Sequence, residues 1–278
     1  MAISGKAKLA GVMGWPVAHS LSPRLHGYWL DRHRVDGAYV PLAVPPEKFA
    51  SALRMLPSLG FAGANVTVPH KEAALAAVDR IEPLAERIGA VNTIVIAADG
   101  TLEGRNTDAF GFIANLDEGA PGWRKTATPA VVLGAGGAAR AVVASLVDLG
   151  VSVRLVNRTV ERARILAEAV GGEVDVVPWS ERTDALDGAG LLVNTTTLGM
   201  TGKPALEIAL DPLPKTATVN DIVYVPLRTD LLKAAAARGN KTVDGLGMLL
   251  HQARPGFAAW FGVMPEVTAD LRAFVLGS

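Results

Sequence analysis

Three short stretches of the chain carry residues whose types and spacing suit chemistry. In NVTVPHKEAAL, residues 65–75, apolar Val66 and Val68 alternate with Asn65 and Thr67 as in a short strand. Pro69 is then expected at the first position of a helix, where its missing N–H costs nothing. Lys71 falls in the first helical turn, at the positive end of the macrodipole, where a cation is disfavoured by about 0.3–1 kcal/mol. An amine kept in such a place suits proton transfer to or from a reacting hydroxyl. In HSLSPRLH, residues 19–26, Ser22 before Pro23 has the form of an N-cap and first-turn pair. A helix start bearing the hydroxyls of Ser20 and Ser22 suits a carboxylate. Simple capping by Ser22 is the plainer reading, but it does not call for Ser20.

The third stretch, residues 130–159, is AVVLGAGGAARAVVASLVDLGVSVRLVNRT. Gly134, Gly136 and Ala139 fill the pattern G-x-G-x-x-G/A between an apolar strand and a helix. Gly134 permits the tight turn, Gly136 lets backbone approach a pyrophosphate, and Ala139 lets helix and strand pack closely. About 20 residues further on, where an NAD site places a carboxylate for the ribose 2′-hydroxyl, stands Asn157. Arg158 follows it and Arg162 lies one turn beyond, so guanidinium groups are available to grip a 2′-phosphate. NADP is expected in preference to NAD.

The elements that must position these residues alternate along the chain. Residues 8–14, 38–44 and 61–68 have strand character, while 22–33, 46–56 and 69–78 have helical character, the rhythm of a parallel sheet covered on both faces. Residues 92–108 form two strands around the turn Asp99-Gly100. After a Pro/Gly-rich connection at 118–129 a second rhythm begins. It has strands at 130–133, 151–156, 174–177, 190–194 and 218–223, helices at 137–149 and 159–170, and closing helices near 245–260 and 265–276.

The 278 residues suffice for two domains, half are apolar, and 27 basic residues balance 27 acidic ones. No overall field draws the chain to nucleic acid or to an anionic membrane. The absence of cysteine excludes disulfides, thiolate metal sites and cysteine nucleophiles. The longest uncharged run, Met55–His70, contains two prolines and falls short of the ~20 residues that span a bilayer. With no signal-peptide pattern at the N-terminus, a soluble cytoplasmic protein is expected.

Nine segments in unbroken order, GWPVAHSLSPRLH, NVTVPHK, GAVNT, GRNTDAFGF, GAGGAAR, NRTVER, NTTTLGM, DIVY and DGLGMLLHQA, make the chain similar to the shikimate dehydrogenase family. The resemblance runs from about Gly14 to the C-terminus. It implies NADP-dependent, reversible conversion of 3-dehydroshikimate to shikimate in aromatic amino-acid biosynthesis. It also implies an α/β fold of two domains, an N-terminal α/β substrate domain and a Rossmann-type dinucleotide-binding domain, with the C-terminal helices returning to the first. The corresponding boundaries are 1–109 with 249–278, and 110–248.

Carried over residue by residue, Ser20 and Ser22 resemble the family's carboxylate-binding serines. Thr67, Asn92, Asp108 and Gln252 resemble the groups that hold the ring hydroxyls, with Tyr224 alongside, and Lys71 and Asp108 resemble the catalytic pair. Gly134, Ala135, Gly136, Gly137, Ala138, Asn157, Arg158, Thr159, Arg162, Ile222 and Gly245 match on the cofactor side. Two departures stand out: Pro83 replaces an acidic residue that some relatives place near the cofactor, and Thr197 replaces a common serine. Met200 and Met248 are candidates for the nicotinamide pocket, His19 and His70 receive no role, and no metal ion is expected. Nearest among rival readings is a quinate or dual quinate/shikimate dehydrogenase, distinguished by one ring hydroxyl. A catalytically silent NADP-binding regulator would need the glycine turn but not both Lys71 and Asp108. The expected partner is a small-molecule substrate, with the chain a monomer or homodimer.

Overall fold

Period-two apolar runs and helical stripes alternate through the chain, and the computed structural model, which describes residues 3–277, shows what they build. The chain folds as two compact units, Met1–Thr107 with Gln252–Ser278, and Asp108–His251.

The first unit contains β1 (Lys8–Gly14), α1 (Ser22–Arg32), β2 (Gly37–Ala43), α2 (Phe49–Met55), β3 (Phe61–Val66), α3 (Lys71–Ala77), β4 (Arg80–Ile81), α4 (Pro83–Ile88), β5 (Thr93–Ile96) and β6 (Leu102–Arg105). Its sheet runs β2-β1-β3-β5-β6-β4. β1 pairs in parallel with β2 and β3, whereas β5 pairs antiparallel with both β3 and β6. The β5–β6 hairpin turns at Asp99-Gly100, where Asp99 accepts the Thr101 N–H at 2.9 Å. One face packs α2 and α3 through Met13, Phe49, Leu53, Val66 and Ala74. The chain's last segment completes the unit: the indole N–H of Trp260 donates to the Ile94 carbonyl (2.9 Å), and that of Trp29 donates to Glu266 (3.1 Å). Phe257 packs edge-on against Trp29, so the C-terminal helices close this core.

The second unit contains α5 (Asp108–Gly119), β7 (Ala130–Leu133), α6 (Gly137–Asp148), β8 (Val153–Asn157), α7 (Val160–Val170), β9 (Val174–Pro178), β10 (Leu191–Asn194), β11 (Thr218–Asp221), α8 (Asp230–Ala237) and β12 (Lys241–Val243). The sixteen-residue α9 (Leu246–Phe261) begins in this unit and ends in the first, and α10 (Ala269–Leu276) follows. The sheet is wholly parallel, ordered β12-β11-β10-β7-β8-β9. From β7 the chain winds one way to β8 and β9, then returns to β10 on the other side. That reversal, between β7 and β10, opens the crevice in which doubly wound sheets bind ligands. β7 is buried at every position, as a central parallel strand must be.

Several local details differ from expectation. Helix α1 begins at Ser22 itself with Leu21 at its N-cap, because the Ser20 hydroxyl accepts the Ser22 N–H (3.3 Å) and starts the turn early. Helix α3 begins at Lys71, two residues after Pro69, its first bond running from the Ala74 N–H to the His70 carbonyl. The connection at 118–129 contains a 3-10 turn, Trp123–Lys125, whose buried indole donates to Asp117 (2.8 Å). β4, α4, α8 and β12 are not expected from the sequence pattern. Among the described residues no helix is long and apolar enough to cross a membrane.

Candidate functional site

In the first unit, the segment leading to Lys71 is tied down at each step. The Thr67 N–H donates to Met13 on β1 (2.9 Å), the Val66 N–H to the Asn92 carbonyl (2.8 Å), and the Val91 N–H to the Lys71 carbonyl (2.9 Å). His70, which received no role from sequence, is buried; its Nε2 lies 2.8 Å from the Val44 carbonyl and its ring stacks on Phe49 at 4.4 Å. It anchors the turn from which α3 starts. Lys71 is thus the first residue of a helix whose entry cannot drift, and its side chain stays half-exposed.

Behind Lys71 lies a polar network that sequence found only in part. Asn92 is buried, and its Oδ1 accepts from the Thr107 N–H (2.8 Å) and from the Thr93 hydroxyl (2.9 Å). Its Nδ2 donates to Gln252 Oε1 at 3.4 Å, which brings together two residues 160 positions apart. Asn65 donates to the Asn92 carbonyl (3.2 Å) and accepts from the Tyr39 hydroxyl (2.6 Å). Burial pushes the Tyr39 phenol well above its ordinary value, and a hydrogen bond with Ser22 partly opposes this. Ser22, Tyr39, Asn65, Asn92 and Gln252 therefore form one connected chain, with half-exposed Ser20 and Thr67 flanking it. Tyr39 and Asn65 join this network without being expected from sequence; a lone hydroxyl inside the apolar run AYVPLAV was the available signal.

In the second unit Asp108 is the first residue of α5 and buried, a carboxylate at the helix end that favours negative charge. The glycine turn follows β7. Gly134 has φ +107°, and a Cβ there would lie 2.8 Å from the Thr195 hydroxyl, so only glycine fits. Gly136 is the exposed N-cap of α6, and a Cβ on it would meet nothing within 4 Å. Open space therefore faces a helix start whose first N–H groups have no acceptor within the helix. With Ala135, Gly137 and Ala138 completing the turn, the cradle fits a pyrophosphate.

At the end of β8, Asn157 turns its amide onto the Thr159 carbonyl (2.8 Å), while Arg158 and Arg162 are exposed. Glu161, in the first turn of α7, faces Arg164 at 3.8 Å. Two arginines with no carboxylate at the strand end suit a 2′-phosphate. Ile222 donates its N–H to the Asn194 carbonyl (3.1 Å), and Gly245 abuts it so closely that any Cβ would collide with the Ile222 carbonyl. Tyr224 is half-buried, which raises its phenol above the ordinary value. Met248 is buried in α9, and Met200 lies half-buried after β10.

Comparison with known proteins adds names to this geometry. Residues 12–94 match the family model of the shikimate dehydrogenase substrate binding domain, and residues 123–201 that of shikimate / quinate 5-dehydrogenase. A shikimate dehydrogenase (NADP(+)) of Paramagnetospirillum magneticum is 65% identical over 275 residues, covering 99% of this chain and 100% of its own. The Thermus thermophilus shikimate 5-dehydrogenase solved with NADP(H) and shikimate superposes with a TM-score of 0.86 at 39% identity, covering 97% of both chains. A quinate dehydrogenase of Corynebacterium glutamicum solved with NAD superposes at 0.91 with 32% identity, over 98% of this chain and 99% of its own. This backbone is thus shared with a protein solved with NADP(H) and shikimate and with one solved with NAD.

Proposed function

The chain belongs to the shikimate dehydrogenase family, and from that premise we propose that it catalyses the reversible, NADPH-linked reduction of 3-dehydroshikimate to shikimate in aromatic amino-acid biosynthesis. The observation that carries this reading is identity at 65% along the full length with an NADP-dependent member. The glycine turn and the arginines after β8 support the same cofactor. We place the enzyme in the cytoplasm, as a monomer or homodimer.

Reducing a ring ketone requires a hydride at carbon and a proton at oxygen. Bound NADPH supplies the hydride; the rest falls to side chains of this chain. The α6 N-terminus and Gly134–Ala138 receive the pyrophosphate, and Arg158 and Arg162 receive the 2′-phosphate. Ser20 and Ser22 bind the substrate carboxylate, while Thr67, Asn92, Gln252 and Tyr224 hold its ring hydroxyls. Asn92 and Gln252 arrive already oriented by Thr107, whose hydroxyl also donates to Gln252 (3.4 Å). Lys71 Nζ delivers the proton to the developing alkoxide and reclaims it in the oxidative direction, with Asp108 as the carboxylate of the catalytic pair.

The test is the reduced-nicotinamide absorbance band, followed with shikimate or quinate against NADP⁺ or NAD⁺. Turnover with shikimate and NADP⁺ is expected; activity with quinate and NAD⁺ alone overturns both specificities. Arg158→Ser is expected to raise KM for NADPH about tenfold and leave KM for NADH unchanged, since one charge-assisted contact contributes ~1.5–3 kcal/mol and an exposed one falls at the low end. Equal effects on both cofactors would remove Arg158 from 2′-phosphate binding.

A further inference from the structure

Asp221 ends β11 with no exposure to solvent, and none of the roles above uses it. A buried carboxylate is costly unless its oxygens are satisfied. Its partners are three neutral donors: Asn194 Nδ2 (3.0 Å) and the Val223 N–H (3.0 Å) at Oδ1, and the Thr229 hydroxyl (2.7 Å) at Oδ2. Burial nevertheless raises the carboxyl above its ordinary range.

Those donors come from separate pieces of chain. Asn194 ends β10 and organises the connection after it: its Nδ2 also donates to the Leu198 carbonyl (3.2 Å), and its Oδ1 accepts from the Thr196 N–H (3.0 Å) and hydroxyl (2.7 Å). Val223 and Thr229 bracket the connection after β11 that carries Tyr224, and Thr229 caps α8 by accepting the Leu232 N–H (3.4 Å). Further out, the Thr201 N–H donates to the Val225 carbonyl (2.9 Å), joining the two connections a second time. The first connection also lies against the glycine turn, where the Thr195 hydroxyl donates to the Leu133 carbonyl (2.6 Å). All of this occurs at the carboxyl ends of β7, β10 and β11, the ligand edge of a doubly wound sheet. A dinucleotide whose 2′-phosphate sat at β8 would extend its other half toward β10 and β11.

We propose that Asp221 is a positioning residue for cofactor binding: its carboxylate latches the 195–201 and 222–229 connections together so that they meet the nicotinamide half. The inference rests on the NADP reading above. In this role Asp221 acts only through the two connections it joins.

The experiment measures the Kd of NADP⁺ by calorimetry, together with steady-state kinetics and the melting temperature, for Asp221→Ala and Asp221→Asn. Alanine removes all three bonds. Asparagine keeps one acceptor for Asn194 and Val223 and lets the Thr229 hydroxyl turn to accept. Expected are a Kd for NADP⁺ and a KM for NADPH both raised about tenfold or more in Asp221→Ala, and near wild-type cofactor values in Asp221→Asn. Thr229→Val, which loses one donor, is expected to weaken NADP⁺ binding several-fold and Thr229→Ser to restore it; these two decide the matter if Asp221→Ala does not fold. Variants that melt lower yet bind NADP⁺ as wild type does would overturn the proposal and leave Asp221 a residue of stability alone. Failure of the wild-type chain to bind NADP⁺ would instead overturn the function proposed above.

Discussion

Lys71→Met is expected to lower kcat for shikimate oxidation by ~100-fold or more while KM for shikimate changes by less than about twofold. Methionine preserves the aliphatic stem and a comparable helix propensity, so α3 and its anchorage through His70 and the Lys71 carbonyl remain. What disappears is the ammonium, the one group of this side chain that can transfer a proton. A loss confined to turnover is the signature of an interaction made in the transition state rather than in both bound states. Turnover near wild type would remove Lys71 from the mechanism. A large rise in KM without loss of kcat would make it a binding residue only.

The second large effect concerns stability in acid. His26 is wholly buried, stacked on Tyr39 with ring centroids 3.9 Å apart and packed near Trp29, Phe257 and Trp260. Burial holds its pKa down to about 3; Asn65 nearby relieves this slightly, although neither ring nitrogen makes a hydrogen bond of ordinary geometry. The unfolded chain binds this proton near 6.5 and the folded one near 3, so the unfolded state carries more protons throughout that interval. Stability is complete above the unfolded value and is lost as pH falls toward the folded one. His26→Phe keeps the stacked ring and cannot titrate. Between pH 7 and 4.5 the wild type is therefore expected to lose about 2–3 kcal/mol more than His26→Phe, at 1.4 kcal/mol for each unit of displacement. Denaturant midpoints followed by the fluorescence of Trp29 and Trp260 would show it. Parallel pH profiles for the two proteins would mean that water reaches the imidazole in the folded state.

The glycine turn of the second unit was legible from sequence because its signals are local. A buried strand, a glycine turn and a helix follow one another within residues 130–148, and the pattern that names them is the structure that forms. Lys71 was legible for the same reason, as the oddity of a cation at a helix start. Ser22–Pro23 shows where local signals mislead. The pair has the form of a cap, but the hydroxyl that serves the turn belongs to Ser20, one pair earlier. Helix α8 was missed although Thr229 caps it and Gly239 stops it, and β4 offers only two residues to read. The network behind the site was hidden on different grounds. Asn65 becomes informative only when Tyr39 and Asn92 meet it, and Asp221 only when Asn194 and Thr229 do. No period or motif relates such residues, because tertiary folding alone joins them.

The first unit is written in two pieces of chain with the whole second unit between them. During synthesis, the residues that seal its core, Phe257 and Trp260 among them, therefore emerge only after the whole second unit. The inserted unit, an uninterrupted stretch, can finish folding first, while its host waits half-made with α1 and β2 lacking their lid. A premature stop after His251 would thus spare the younger half of the nascent chain and cripple the older one.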